Sequence, residues 1–277
     1  MAWGDCSSVE SISFLLPHRP NSSFIRWHHV CSVLTTNENL RELRVSDSHL
    51  HRVAFVILCN QLRHPSCHLQ KLHMDNVCFP CESWLFFDVL MRSPHLRTRS
   101  LSGAALSRED VKLLCEALRT TCSLEELPVA RCCLSVDDCR DFSRILQTSR
   151  KLKQLNVSYS CLDKGVPVLC EALCHPDCAL EVLELVYCSL SERCWEKLYE
   201  VLLCNRSLTH LDLTSNVLKF EELQLLCKAL KQPGCPLQSL WSVSLRSALK
   251  ATPPSQGPGW PGRHQELRKA VQAEKHS

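Results

Sequence analysis

The stretch LEVLELVYCSL, from Leu180 to Leu190, decides how this chain folds: leucine holds its first, fourth, sixth and eleventh places and cysteine its ninth. Apolar residues at alternate places describe a short strand with one buried face. The small ninth residue fits inside a bend that turns the chain off that strand. The pattern L-x-x-L-x-V/L also starts at Leu40, Leu69, Leu124, Leu152 and Leu208, with a damaged copy at Leu96 and a partial one at Leu237. Successive starts lie 29, 27, 28, 28, 28, 28 and 29 residues apart. Ten places after each of the first seven starts comes a large apolar residue: Leu50, Phe79, Leu106, Leu134, Leu162, Leu190 and Leu218. The ninth place is Ser48, Val77, Ala104, Cys132, Ser160, Cys188 and Asn216.

This spacing is the leucine-rich-repeat signature, L-x-x-L-x-L-x-x-N/C-x-L. One repeat cannot bury its own apolar face, so the copies must stack and share a continuous core. About 28 residues per repeat leave room for a helix on the outside. The expected fold is an α/β leucine-rich-repeat solenoid, a horseshoe with parallel strands inside and helices outside. A second period overlies the first. LCNQLRHPSCHL from Leu58, LCEALRTTCSL from Leu114, LCEALCHPDCAL from Leu169 and LCKALKQPGCPL from Leu226 alternate with LFFDVLMRSPHL from Leu85, FSRILQTSRKL from Phe142 and LYEVLLCNRSL from Leu198. Trp84 and Trp195 sit at the same place in two repeats of the second form. The structural unit is therefore a pair of repeats.

Alternating LCEAL helices and P-x-C-x-L loops resemble the ribonuclease-inhibitor type of repeat. The wording LCEALCHPDCALEVLEL and LCKALKQPGCPLQSL is similar to the carboxy-terminal repeats of the NACHT, leucine-rich-repeat and pyrin-domain proteins, over Trp27 to Leu240. That resemblance implies a binding surface rather than an enzyme, connected with innate immune and inflammatory signalling or, for some members, with the oocyte and early embryo. The family's nucleotide-binding module needs a G-x-x-x-x-G-K-[ST] loop to wrap phosphates, and no such segment occurs here. Neither nucleotide-driven assembly nor a nucleotide or other cofactor is expected.

Three domains are expected: an irregular segment at 1–26 with no clean strand, the repeat domain at 27–241, and at 242–277 a Pro/Gly-rich tail with the composition of a linker. The third full repeat is worn, with Arg99 where an inward leucine belongs and Pro128 in the following strand, so Arg97 to Pro128 is the expected weak stretch. With 32 Lys and Arg against 29 Asp and Glu, charge favours neither nucleic acid nor anionic membrane. No signal-like or membrane-length apolar stretch appears, which points to the cytoplasm. There the 20 cysteines should be thiols. Those recurring in register, Cys59, Cys115, Cys170 and Cys227, read as core packing.

Chemistry-bearing motifs are sparse. Cys78-Phe79-Pro80-Cys81 has zinc or redox spacing but no partner pair. There is no H-E-x-x-H, no G-x-S-x-G, and no carboxylate pair set apart by its surroundings. The sequons at Asn21, Asn156 and Asn205 are neutral in the cytoplasm. What remains is the concave strand face. Its fifth places are Arg44, His73, Ser100, Pro128, Asn156, Glu184 and Asp212, and its eighth places Asp47, Asn76, Gly103, Arg131, Tyr159, Tyr187 and Ser215. Arg and Tyr are enriched in interface hot spots. The expected protein-binding patch is Arg131, Lys153, Tyr159, Glu184, Tyr187 and Asp212. The alternative, an inhibitor of a basic ribonuclease-like enzyme, needs a strongly acidic cup. The outward places carry six basic against eight acidic side chains, too weak a charge for that role.

Overall fold

A computed structural model describes residues 9–15, 24–48, 50–78, 84–92, 95–120 and 124–242. Strand and helix alternate throughout: β1 (Ser11–Leu15), α1 (Phe24–Thr36), β2 (Glu42–Ser46), α2 (Arg52–Leu62), β3 (Lys71–Asp75), α3 (Trp84–Arg92), β4 (Thr98–Ser100), α4 (Arg108–Thr120), β5 (Glu126–Pro128), α5 (Val136–Thr148), β6 (Gln154–Asn156), α6 (Val166–Leu173), β7 (Val182–Glu184), α7 (Glu192–Cys204), β8 (His210–Asp212), α8 (Phe220–Leu230) and β9 (Ser239–Trp241). The strands form one parallel sheet in chain order, and consecutive helices pack side by side. This is the leucine-rich-repeat solenoid that the leucine spacing predicts.

The inward places fill the core. Leu152, Leu155 and Val157, Leu180, Leu183 and Leu185, and Leu208, Leu211 and Leu213 are all buried. Each such side chain contributes about 1.5–3 kcal/mol of burial. The ninth place is buried in every repeat from Ser48 to Asn216, which explains its small residues. Three of these side chains do the same work. Cys132 Sγ donates to the Leu101 carbonyl at 3.0 Å, Cys188 Sγ to the Val157 carbonyl at 3.7 Å, and Asn216 Nδ2 to the Leu185 carbonyl at 2.7 Å. Each acceptor is the sixth residue of the preceding repeat, so the ninth place sews consecutive turns together where the sheet ladder ends.

The sheet begins earlier than the sequence suggests. β1 lies within the segment expected to be irregular and pairs in parallel with β2, Ser11 against Glu42 and Ile12 against Leu43. In that register Val9, Ile12 and Phe14 occupy the first, fourth and sixth places. The offset of 31 residues, longer than any later spacing, and the lack of a leucine concealed this repeat. The worn third repeat does fold. Arg99 is buried in the leucine's place within β4, beside buried Thr98 and Ser100. The β4–β5 ladder has one register pair, Thr98 against Glu126, where the ladders from β5 to β9 have three each. Pro128 gives no N–H, but its carbonyl accepts from Leu101 N at 2.9 Å. The thinnest pairing thus falls inside the stretch expected to be weakest.

Two expectations about side chains need correction. Cys174 and Cys204 are joined as a disulfide, so not every cysteine is a thiol. The thiol reading holds for the in-register cysteines: Cys59, Cys115 and Cys170 are buried and Cys227 is half-buried, and burial pushes the Cys59 and Cys115 thiols up to about 12. The two tryptophans are not equivalent either, since Trp195 is 1% exposed and Trp84 56%. Trp84 stands in the first turn of α3 and Trp195 in the middle of the first half of α7, so the same repeat position meets a different helix register. Phe79, Pro80, Cys81, Asn21 and the tail from 243 lie outside the described residues; Cys78 is a half-buried free thiol.

Candidate protein-binding rim

The hydrogen-bond ladder continues past the strand ends. From Asp47 to Tyr187 the eighth-place N–H donates to a carbonyl of the next repeat: Arg131 N to Ser158 O at 2.8 Å, Tyr159 N to Val186 O at 2.7 Å, Tyr187 N to Thr214 O at 3.0 Å. Reaching that carbonyl while the chain turns requires the left-handed region, with φ of 48° at Asp47, 55° at Asn76, 72° at Gly103, 59° at Arg131, 57° at Tyr159, 53° at Tyr187 and 61° at Ser215. Asp, Asn and Gly tolerate this conformation; for Arg and Tyr it costs about 1–2 kcal/mol per residue. The turn is imposed by the solenoid, but its bulky occupants are not.

Because successive repeats repeat one backbone geometry about 4.8 Å apart, equal side chains at equal places stack. The Tyr159 and Tyr187 rings lie 5.9 Å apart between centroids at 32°, and the Arg131 guanidinium carbon sits 4.5 Å from the Tyr159 centroid. Tyr159 is 45% exposed and Tyr187 61%. Arg131, Tyr159 and Tyr187 therefore make one continuous exposed strip. It lies on the rim beyond the strand ends, not on the strand face where the sequence placed it.

The other three expected residues divide. Glu184 and Asp212 end β7 and β8, paired in register on the strand face. Glu184 accepts from Asn156 Nδ2 at 2.6 Å. Partial burial, and then the charge of Asp212, hold the Glu184 carboxyl above its ordinary range, against the lowering effect of Asn156. Lys153 is elsewhere. It precedes β6, at the other end of the strands from the tyrosines, and bonds Glu181 Oε1 at 2.6 Å across the repeat boundary. Six residues expected to form one patch thus form an aromatic rim, an acidic pair and a separate ion pair.

A carboxyl whose folded pKa is raised binds its proton more tightly in the folded state, so its charge weakens the fold above that pKa and the penalty disappears as pH falls through it. Glu184→Gln is accordingly expected to raise the thermal midpoint at pH 7. Scans at successively lower pH should show the gap to the original chain closing as Glu184 protonates; a gap that stayed constant would assign the gain to another cause.

Three residues outside the expected patch also shape this region. Asn156 holds Glu184 in place. Trp241, paired in register with Asp212, extends the fifth-place row by one repeat, and its ring stacks on His210 at 5.8 Å and 28°. The partial repeat at Leu237 was the signal for Trp241. Asn205, a sequon residue, turns out to be structural: it is buried, donates to Leu173 O at 2.6 Å and accepts from Leu208 N at 2.6 Å.

No family model matches the chain. Individual relatives do. The NACHT, LRR and PYD domains-containing protein 4E of Mus musculus is 48% identical over 217 residues, 78% of this chain and 22% of that protein. Protein 14 of the same description in Homo sapiens is 42% identical over 216 residues, 77% of this chain and 20% of the relative. These repeats belong to the NACHT, LRR and PYD family.

The chain spans about a fifth of the length of those NACHT, LRR and PYD relatives. Among solved structures, the crystal structure of the Rad7 and Elc1 complex in yeast matches 87% of this chain and 69% of that one, with a TM-score of 0.50 at 14% identity. At that identity the likeness speaks of fold alone. Among the described residues of this NACHT, LRR and PYD relative, no helix is long and apolar enough to cross a membrane, and no group of three or more His, Cys, Asp or Glu side chains is placed to hold a metal ion.

Proposed function

We propose that the chain is a non-enzymatic protein-interaction module that works in the cytoplasm, in innate immune or inflammatory signalling in keeping with its family, and that it grips its partner with the rim Arg131, Tyr159 and Tyr187 and the adjoining acidic pair Glu184 and Asp212. The observation that carries this reading is the occupancy of the left-handed turns. Of the seven eighth-place turns, four hold Asp, Asn, Gly or Ser, whereas three consecutive ones hold an exposed Arg-Tyr-Tyr strip at a backbone cost. Strained residues gather where function requires them. Tyrosine supplies a large contact area for little lost side-chain freedom, and a tyrosine edge beside carboxylates suits a partner surface that presents basic groups.

The charge arrangement supports this reading over an inhibitor of a basic enzyme. Glu181 is matched by Lys153, and Glu42 by Arg44 at 2.5 Å, so basic side chains neutralise part of the acidic charge among the outward places. A ribonuclease assay is expected to show no inhibition.

The test uses Tyr159→Asn with Tyr187→Asn, because asparagine accepts the left-handed backbone that alanine resists. The double variant is expected to keep or slightly raise its thermal midpoint while partners captured by the original chain are lost or bound at least about tenfold more weakly. Capture of the same partners with equal affinity overturns the rim.

A further inference from the structure

The disulfide stands apart from every other cysteine described. The cysteines that recur with the repeat are packing groups: Cys59, Cys115 and Cys170 stand in the same helical place and are buried. Cys174 and Cys204 break register. In the helices equivalent to α6, the place of Cys174 holds Arg63, Arg119 and Lys231, and in those equivalent to α7 the place of Cys204 holds Ser93 and Thr148. Each is the one cysteine at its place, and the two face each other across one repeat boundary. Cys174 caps the end of α6 and Cys204 is the last residue of α7, with Cα atoms 5.5 Å apart, a spacing at which cysteines bond without backbone movement. Cys204 is exposed and Cys174 half-buried, so solvent-borne reagents reach them.

The same boundary is closed differently in the first repeat pair. There Arg63, in the place of Cys174, pairs with Asp88 of α3. An ion pair is permanent at neutral pH, whereas a thiol pair closes only when oxidised. The boundary concerned is also the one between the Tyr159 repeat, which owns α6, and the Tyr187 repeat, which owns α7.

We propose that Cys174 and Cys204 form a reversible dithiol–disulfide site, oxidised by small-molecule disulfides of the glutathione class and reduced by the corresponding thiol, which staples together the two repeats that carry the tyrosine rim. In the forward step the Cys204 thiolate attacks one sulfur of glutathione disulfide. A Cys204–glutathione bond forms, the glutathione disulfide bond breaks, and one glutathione leaves as thiolate. The Cys174 thiolate then attacks the Cys204 sulfur and the second glutathione leaves. Two electrons pass from the protein thiols to the glutathione disulfide, and the two protons the protein thiols release are taken up by the leaving thiolates. Both cysteines lie at helix carboxy termini, whose partial negative charge disfavours thiolate. Exchange is therefore slow, and the bond acts as a lasting mark rather than as a catalytic dithiol. The consequence for the rim rests on the binding reading above; the site itself does not.

The test equilibrates the whole chain, folded, in buffers of graded reduced-to-oxidised glutathione ratio, quenches with acid, alkylates and maps the peptides. The linked peptide pair containing Cys174 and Cys204 should rise with the oxidised fraction, vanish in excess reduced glutathione, and be missing from Cys204→Ser. Full alkylation of both residues at every ratio overturns the site, as does a linkage that no ratio reduces. Amide hydrogen exchange in α6 and α7 should slow by at least about tenfold on oxidation; equal exchange in the two states overturns the staple. Neither readout involves a partner. Failure of the rim would show instead as undiminished partner capture by the double asparagine variant.

Discussion

Trp195→Ala is expected to lower the stability of the solenoid by about 3–5 kcal/mol, while Trp84→Ala, at the same repeat position, is expected to change it by less than about 0.5 kcal/mol. Trp195 is the largest of the fully buried side chains and lies among the residues of α7 that face the core, including Cys194, Leu198 and Val201. Its Nε1 has no hydrogen-bond partner, so its contribution is packing, and truncation leaves a cavity that the rigid stack closes poorly. Trp84 projects from the first turn of α3 with more than half its surface in water. Urea unfolding of both variants is the measurement. Stacked repeats owe their stability to nearest-neighbour interfaces, so the α7 change should also weaken α6 and α8. Equal shifts for the two tryptophans would contradict their assigned burial.

Asn216→Ala is expected to cost about 2–4 kcal/mol, because each buried backbone group left unpaired costs about 1–3 kcal/mol. Its Nδ2 bonds the carbonyls of Leu185 at 2.7 Å and Leu213 at 3.0 Å, and its Oδ1 accepts from Cys188 N at 2.8 Å. Alanine removes these bonds in a place that water does not reach. Asn216→Cys should fall between the original and alanine. At the same repeat position Cys132 and Cys188 reach the preceding repeat's carbonyl through sulfur, but a thiol leaves the Cys188 N–H unanswered. Denaturant midpoints for the two variants test this ordering, and a cysteine variant no better than alanine would show that the sulfur bond contributes nothing.

Much of the solenoid is legible in the chain because its determinants are local and repeated. Leu180, Leu183 and Leu185 announce a strand with one buried side whatever the partner strand is, and the small residues of the ninth place announce a bend that has no room for more. The limits are equally physical. β1 was missed because Val9, Ile12 and Phe14 carry the pattern without leucine and at a longer interval, and only pairing with β2 identifies them as a repeat. The expected patch is contiguous only in part. Arg131, Tyr159 and Tyr187 hold the eighth place of consecutive repeats and do stack, but Lys153, expected in the same patch, stands at the far end of the strand, matched to Glu181.

The sequence by itself determined the repeat, its period, its alternation in pairs and the inward set of leucines, since an apolar side chain at a fixed interval has the same consequence in every copy. Only the tertiary structure decided which tryptophan is core, which cysteines meet, and that the tyrosine strip lies on a left-handed rim rather than on the strand face. Those outcomes depend on distances between side chains in neighbouring repeats. Such distances are set by helix register and by the ladder bonds joining one turn of the solenoid to the next, neither of which is written in any single repeat.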